Sequence, residues 1–277
     1  MADPGFVEVG DRVHVLRYPV FDVNVALVLG DGAALLVDTL STPAQGAELA
    51  RAARRVTAAP WSIVNTHHHF DHCVGNAVLA RAGGDSPVWA HEATAALLRD
   101  GARVRRRWYE ELAPSEPELA GAVAGADLLP PDRTVHWQST VDIGGRAVVL
   151  HHLGRGHTAG DLVVEVPDAG VVLAGDLVEE SGPPSFEDAY PLEWPETLAR
   201  LLRLTGPDTT VVPGHGAVVD QVFVRAQHAD LTALEWLVRD GHADGAPPAA
   251  VAARAPFGPQ PSLVAVRRGY AELAGRI

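Results

Sequence analysis

Apolar residues cluster along this chain in short, Val- and Leu-dense runs separated by polar turns. RVHVLRY at 12–18, VNVALVLG at 23–30 and AALLVDT at 33–39 predict strands, with Gly30-Asp31-Gly32 as a turn between the last two. An Ala/Arg-rich stretch from about Pro43 to Ala58 predicts a helix, and Ser41 or Thr42 stands where a cap belongs. WSIVNT returns to strand, DHCVGNAVLARA has helical spacing with Asp71 at its start, and PVWAH is a further strand. Glu92 to Ala124 is largely helical. The second half repeats this order: TVHW, RAVVLHHLG, DLVVEVP and GVVLAGDLV are strand-like, and WPETLARLLRL is a helix with an apolar stripe at Leu198, Leu201 and Leu202. TVVPGHG is a strand running into a turn, and helices follow from about Asp220. ALLVDT and VVLAGDLV are similar strands that each carry an Asp, a hint of duplication. Strands followed by helices in each half predict two sheets packed face to face with helices outside. The Pro/Gly-rich break near 245–249 reads as a loop within one domain spanning 1–277.

Composition narrows the function. Hydrophobic residues make up 47% and charged residues 21% of the 277, enough to bury a sizeable core. The formal net charge of −13 makes nucleic acid and anionic membrane poor partners and a small-molecule substrate the better expectation; a homo-oligomer is compatible with it. The basic run RVRRRW sits beside Glu110 and Glu111 and reads as a solvated helix face. A single cysteine, Cys73, excludes an intrachain disulfide and reads as a small buried side chain. MADPGFVEVGDRV has no basic and apolar leader pattern, and no apolar run approaches the ~20 residues of a membrane span, so a cytoplasmic protein is expected.

The densest chemistry lies in Thr66-His67-His68-His69-Phe70-Asp71-His72, between a predicted strand and a predicted helix. Alternate side chains of an extended segment point the same way, so His67 and His69 converge while His68 points elsewhere. Asp71 and His72 open the helix, turned back toward the same cavity. Imidazoles and a carboxylate this close suit zinc, iron or manganese; a solvated His-rich loop is the competing reading of this segment alone. His157 in GRGHTAGD, Asp176 in LAGDL and His215 in VVPGHG each lie at or after a strand end. Singly, each is an ordinary hydrogen-bonding residue, although a bare carboxylate ending an apolar strand needs a partner. Together the set offers five His and two Asp where the loops of a layered fold gather.

The order HxHxDH, then GHT, GD and GHG, resembles the metallo-β-lactamase fold superfamily over roughly Val23 to Gly216. The resemblance implies an α/β fold, a four-layer αββα sandwich of two mixed β-sheets flanked by helices. A helical insertion at about 92–128 and a C-terminal helical segment at about 220–277 complete the expected domain. It further implies two divalent metal ions at one edge, zinc first, with iron or manganese as alternatives. His67, His69 and His157 would hold the first; Asp71, His72 and His215 the second; Asp176 would bridge them. Asp38 matches a commonly acidic position beneath the site and would orient a ligand; Asp161 would do the same or cap a turn. The implied activity is hydrolysis, in which a hydroxide shared by both metals attacks a thioester, lactone, ester or amide carbonyl and Asp71 helps to move the proton.

Ligands alone leave the branches of the superfamily open. One branch of the true β-lactamases has Cys where Asp176 stands, while another shares HxHxDH. Flavodiiron oxidoreductases carry Glu where His69 stands. Persulfide dioxygenases share the ligand set but use one iron, so a mononuclear-iron oxidoreductase is the alternative, as is a true β-lactamase. Glutathione-using thioesterases of the glyoxalase-II kind carry basic and Tyr residues soon after the Asp. Here Glu179 and Glu180 follow, and two acids there would repel glutathione's carboxylates. Lactonases place a Tyr within a few residues, whereas the first here is Tyr190. The loop from Ser181 to Pro195 is expected beside the metals. Phe186, Tyr190 and Trp194 are its candidate contacts for an apolar acyl group, with Trp108 and Tyr109 facing them. Asn24 and His91 are weaker candidates, and His14, His136, His151, His152, His228 and His242 are assigned to surface or structure.

Overall fold

The computed structural model describes residues 5–277. The first half runs β1 (Val7–Gly10), β2 (Val13–Tyr18), β3 (Val23–Leu29), β4 (Ala34–Val37), α1 (Pro43–Val56), β5 (Trp61–Val64), α2 (Phe70–Cys73), α3 (Asn76–Gly83) and β6 (Val88–His91). It continues through α4 (Glu92–Arg99), α5 (Gly101–Leu112), α6 (Pro117–Ala124) and β7 (Arg133–Val135). The second half runs β8 (Gln138–Asp142), β9 (Ala147–His151), β10 (Val163–Val166), β11 (Val171–Glu179), α7 (Trp194–Leu201) and β12 (Thr210–His215). It closes with α8 (Gln221–Ala243), α9 (Pro248–Ala252) and α10 (Pro259–Leu273).

The strands hydrogen-bond in the order β7-β6-β5-β4-β3-β12-β11-β10-β9-β8, with β2 also on β3 and β1 on β2. The two halves meet at one antiparallel pair, His215 opposite Val23. They face each other across a shared apolar layer in which Val13, Val28 and Val64 pack with Leu150, Val164 and Leu173. Outside, α1 and α3 cover the first half through Leu27, Leu36, Leu49 and Leu79. The C-terminal helices cover the second through Val172, Leu198, Leu231 and Val266. Alternation along β11 makes this possible: Val171 and Leu173 enter the inner layer while Val172 and Ala174 enter the outer one. A strand buried on both faces reads as an unbroken apolar run, which is why VVLAGDLV was legible. The result is the αββα layering expected, with the two sheets joined at the seam where His215 sits.

Thr42 caps α1, its Oγ1 accepting from Gln45 N at 3.1 Å, and Pro43 occupies the first turn. The expected single helix from Asp71 is split instead into α2 and α3. Gly75 lies between them with its backbone against Thr39, where a Cβ would overlap the Thr39 carbonyl oxygen. β1 and β8 were not anticipated, because VEVG is largely exposed and QSTVD buries only Val141. TVHW also ends early, at Val135, leaving Trp137 exposed. The helices of 92–124 enclose their own small core of Leu98, Val104, Trp108 and Val123. No helix among the described residues is long and apolar enough to cross a membrane.

At the end of β6, His91 caps α4 through Nδ1 and stacks on His152 at 3.8 Å between ring centroids. Burial, with His152 adding to it, drives His91 down to about 4 from the ordinary 6.5. The unfolded chain therefore takes up a proton below pH 6.5 that the folded chain refuses until about pH 4. Stability from this residue is complete above pH 6.5 and is lost on acidification through that window. His91→Asn keeps a capping side chain and should flatten the fall in unfolding free energy between pH 6.5 and 4, measured by urea titration; an unchanged slope would sink this assignment.

Candidate metal centre

Side chains from both halves of the sheet converge at the seam. His67 and His69 come from the segment after β5, and Asp71 and His72 from α2. His157 comes from the β9–β10 loop, Asp176 from β11 and His215 from the end of β12. Asp176 was expected at its strand's end, but β11 continues to Glu179. Register shifts on either side of Gly175 let the strand turn this carboxylate inward.

The ring nitrogens face one another. His69 Nδ1 lies 3.1 Å from His67 Nε2 and 2.8 Å from His157 Nε2, and Asp176 Oδ2 lies 3.6 and 3.5 Å from those two Nε2 atoms. Beside this group, His72 Nε2 and His215 Nε2 are 3.3 Å apart, with Asp71 Oδ2 at 3.6 and 3.4 Å from them. Asp176 touches this second group too, Oδ1 at 3.2 Å from His72 Nε2 and Oδ2 at 3.3 Å from His215 Nε2. Within each group the donor atoms lie within 4.8 Å of one another.

The far side of each ring explains what the near side is for. His72 Nδ1–H donates to Asp38 at 2.8 Å, and His69 Nε2–H donates to Asp188 at 3.2 Å. His157 and His215 donate from Nδ1 to the carbonyls of Ser185 and Phe21, at 3.3 and 2.7 Å. Thr66 Oγ1 donates to Asp38 at 2.7 Å, so it accepts from His67 Nδ1–H at 3.0 Å. Every ring thus has one nitrogen engaged on its outer side and the other aimed at the centre, the orientation that metal ligation requires. Asp176 Oδ1 is buried and receives no aligned hydrogen bond, an expensive state for a carboxylate oxygen unless a cation meets it. The donor set therefore fits divalent metal ions, and Asp176 reaches both groups of donors.

Charge and burial pull these groups apart. Burial drives His67 well below the imidazole range and His157 down to about 3. Burial opposes protonation of His72 and His215 as well, but Asp176 and Asp71 outweigh it and lift them to about 9 and about 11. Asp176, despite burial, is held well below the carboxylate range by His72, His215 and His67. Asp38 supports the site from below, taking Thr66 N at 2.8 Å as well as His72. Asp161 accepts from Thr158 N and Oγ1 at 2.9 and 2.6 Å, so it fixes the turn that carries His157. Cys73 is buried, its thiol pushed up by burial and donating to the His69 carbonyl at 3.1 Å, which removes it as a nucleophile.

A cleft of about 260 Å³ opens onto the centre. Phe21 and Phe70 form one wall, packed edge to face at 5.7 Å, and α5 and the loop from Ser181 to Asp188 form the others. None of the five expected aromatic contacts lines it. Trp108, Phe186 and Trp194 are buried in apolar cores, Trp194 further tied by Nε1 to the Leu177 carbonyl. Tyr109 faces solvent, and Tyr190 lies under Arg155. Asn24 pins the β12 turn by donating to the Pro213 and Gly216 carbonyls. Arg107 is about half exposed, as the run RVRRRW suggested, but it also lines the cleft and pairs with Asp188, which holds His68 and His69. Nothing in the spacing of Arg107, Glu111 and Asp188 marks them, since each is a lone charge brought in by the tertiary fold.

Comparison with known proteins agrees with this geometry. The family model described as the metallo-beta-lactamase superfamily matches residues 18–215. A hydroxyacylglutathione hydrolase of Rhodobacter capsulatus is 29% identical over 154 residues, 55% of this chain and 47% of that protein. Another from Erythrobacter litoralis is 27% identical over 206 residues, 73% of this chain and 67% of that protein. The chain thus spans about half the length of the first relative and two-thirds of the second. A metallo-beta-lactamase from Pontibacter korlensis superposes with a TM-score of 0.65 at 23% identity, covering 83% of this chain and 99% of that one, which supports the fold alone.

Proposed function

The chain belongs to the metallo-β-lactamase superfamily, and on that premise we propose that it is a metal-dependent hydrolase using two metal ions, zinc first, on a thioester, lactone, ester or amide carbonyl. The observation that carries this reading is Asp176, one carboxylate in reach of two His-rich donor groups at once, with a buried oxygen that accepts no hydrogen bond. When bound, two such ions supply a water that ionises near pH 7 and polarise the carbonyl oxygen. The residues of the chain would do the rest. Asp71 lines the cleft, and its carboxylate would take a proton and return it to the leaving group. Phe21 and Phe70 would exclude water from the acyl side, with the Ser181–Asp188 loop opposite. The hydroxyacylglutathione hydrolases among the relatives favour a thioester over the other carbonyl classes.

Elemental analysis of protein purified without added metal tests this. About two equivalents of zinc, or of zinc with iron or manganese, are expected, followed by turnover within a thioester, lactone and β-lactam panel. About one equivalent of iron, with oxygen uptake on a persulfide, would overturn it in favour of a mononuclear oxidoreductase.

A further inference from the structure

We infer that the cleft discriminates against negative charge near the scissile carbonyl and takes an uncharged or cationic acyl compound; this rests on the hydrolase reading above. Two divalent ions set against Asp71 and Asp176 would themselves attract an anion, so the discrimination has to lie in the walls. Beyond the donor set, those walls carry Glu111, Glu179, Glu187 and Asp188 against one cation, Arg107. Arg107 is already spent on Asp188. Drawing it toward a substrate carboxylate would strip Asp188, a carboxylate that also holds His68 and His69.

Among the described residues, no other arginine lines the cleft. The 22 basic residues of the chain are all arginines, so no lysine can extend into the cleft. Arg17 and Arg155, which lie outside the lining, are paired with Asp22 and Glu193. Glu187 is fixed on the cleft by accepting from Ser185 Oγ at 2.8 Å and Phe186 N at 3.1 Å. Glu111, in the last turn of α5, has no hydrogen bond or ion pair of its own among the described residues. Ionised or protonated, these carboxyls offer nothing positive to a carboxylate of glutathione or of a β-lactam, and each ionised one repels it.

The test uses the metal-loaded enzyme and one acyl group on two thiols, uncharged N-acetylcysteamine and anionic glutathione. The N-acetylcysteamine thioester should show the higher kcat/KM by about tenfold or more, and the gap should narrow as salt rises. Glu111→Lys sits at an exposed helix position that tolerates a cation. It should raise kcat/KM for the glutathione thioester relative to the uncharged one by about tenfold, and an unchanged ratio would overturn the inference. Equal or better use of the glutathione thioester by the wild type would overturn the inference and leave the hydrolase reading standing. Turnover of neither thioester nor of any other ester or lactone would overturn the hydrolase reading instead. Charge selection is then decided by binding alone: cysteamine and N-acetylcysteamine should bind the metal-loaded protein more tightly than mercaptoacetate in calorimetry, and the reverse order overturns the inference.

Discussion

On the two-metal reading proposed above, Asp176→Asn will yield a folded protein that retains neither metal at stoichiometric level and loses about 10³-fold or more in kcat/KM. Asn has the shape of Asp and one oxygen, but it cannot bring a negative charge between two cations. Asp176 is the residue both donor groups share, 3.2–3.6 Å from His67, His72, His157 and His215. Its loss therefore weakens both sites together, whereas loss of His157 or of Asp71 strikes one. Metals bound as proposed would contribute several kcal/mol to transition-state stabilisation, hence the ~10³. Stability gives a second readout. A ligand held at 1,000 times its Kd stabilises by about 4 kcal/mol, so chelation should lower the melting temperature of the wild type and leave that of Asp176→Asn unmoved. A variant that keeps two equivalents of metal and still responds to chelator would remove Asp176 from the bridging position.

The layering and the seven donors were legible in the sequence for a common reason. Both rest on local signals: short, Val-rich apolar runs such as VVLAGDLV read as strands buried on two faces, and HxHxDH concentrates donors within six residues. What stayed hidden depends on distance along the chain. Asp188 and Arg107 are 81 residues apart, and neither has a neighbour that marks it, yet together they hold His69 and close one wall of the cleft. The aromatic residues of the loop lie elsewhere than expected for a related reason. A Phe and a Trp in a loop beside an active site look like contacts for an acyl group. The chain turns both inward instead, against Leu177 and the cover of the second sheet, because burying rings of that size stabilises the loop more than exposing them to the cleft would. Phe21, which does line the cleft, sits in a left-handed backbone conformation (φ 58°) that no reading of the turn YPVFDV would assign to a bulky residue.

Gly214→Ala leaves all seven donors in place and should still destroy the centre. Gly214 stands in β12 directly against Asp176, where an added Cβ would overlap Asp176 Oδ1 and lie 2.9 Å from Asp176 N. β11 and β12 are hydrogen-bonded in parallel at this level, with Gly175 opposite Pro213, so the strands cannot simply part. Either the carboxylate swings off the axis between the two donor groups, or β12 shifts and carries His215 with it. Both outcomes break the shared ligand geometry without removing a ligand. Metal affinity and kcat/KM should fall by about 100-fold, in line with other changes that misplace ligands, with about 1–3 kcal/mol of stability lost to overpacking. Gly121→Ala is the control: nothing lies within 4 Å of its Cβ, and in the exposed helix α6 it should change stability by less than about 1 kcal/mol, in the stabilising direction. If Gly214→Ala bound two metals as tightly as the wild type, the close approach of β12 to Asp176 would not be what aims that carboxylate. The seam between the two sheets would then have to be seen as a passive join rather than as the element that sets the metal spacing.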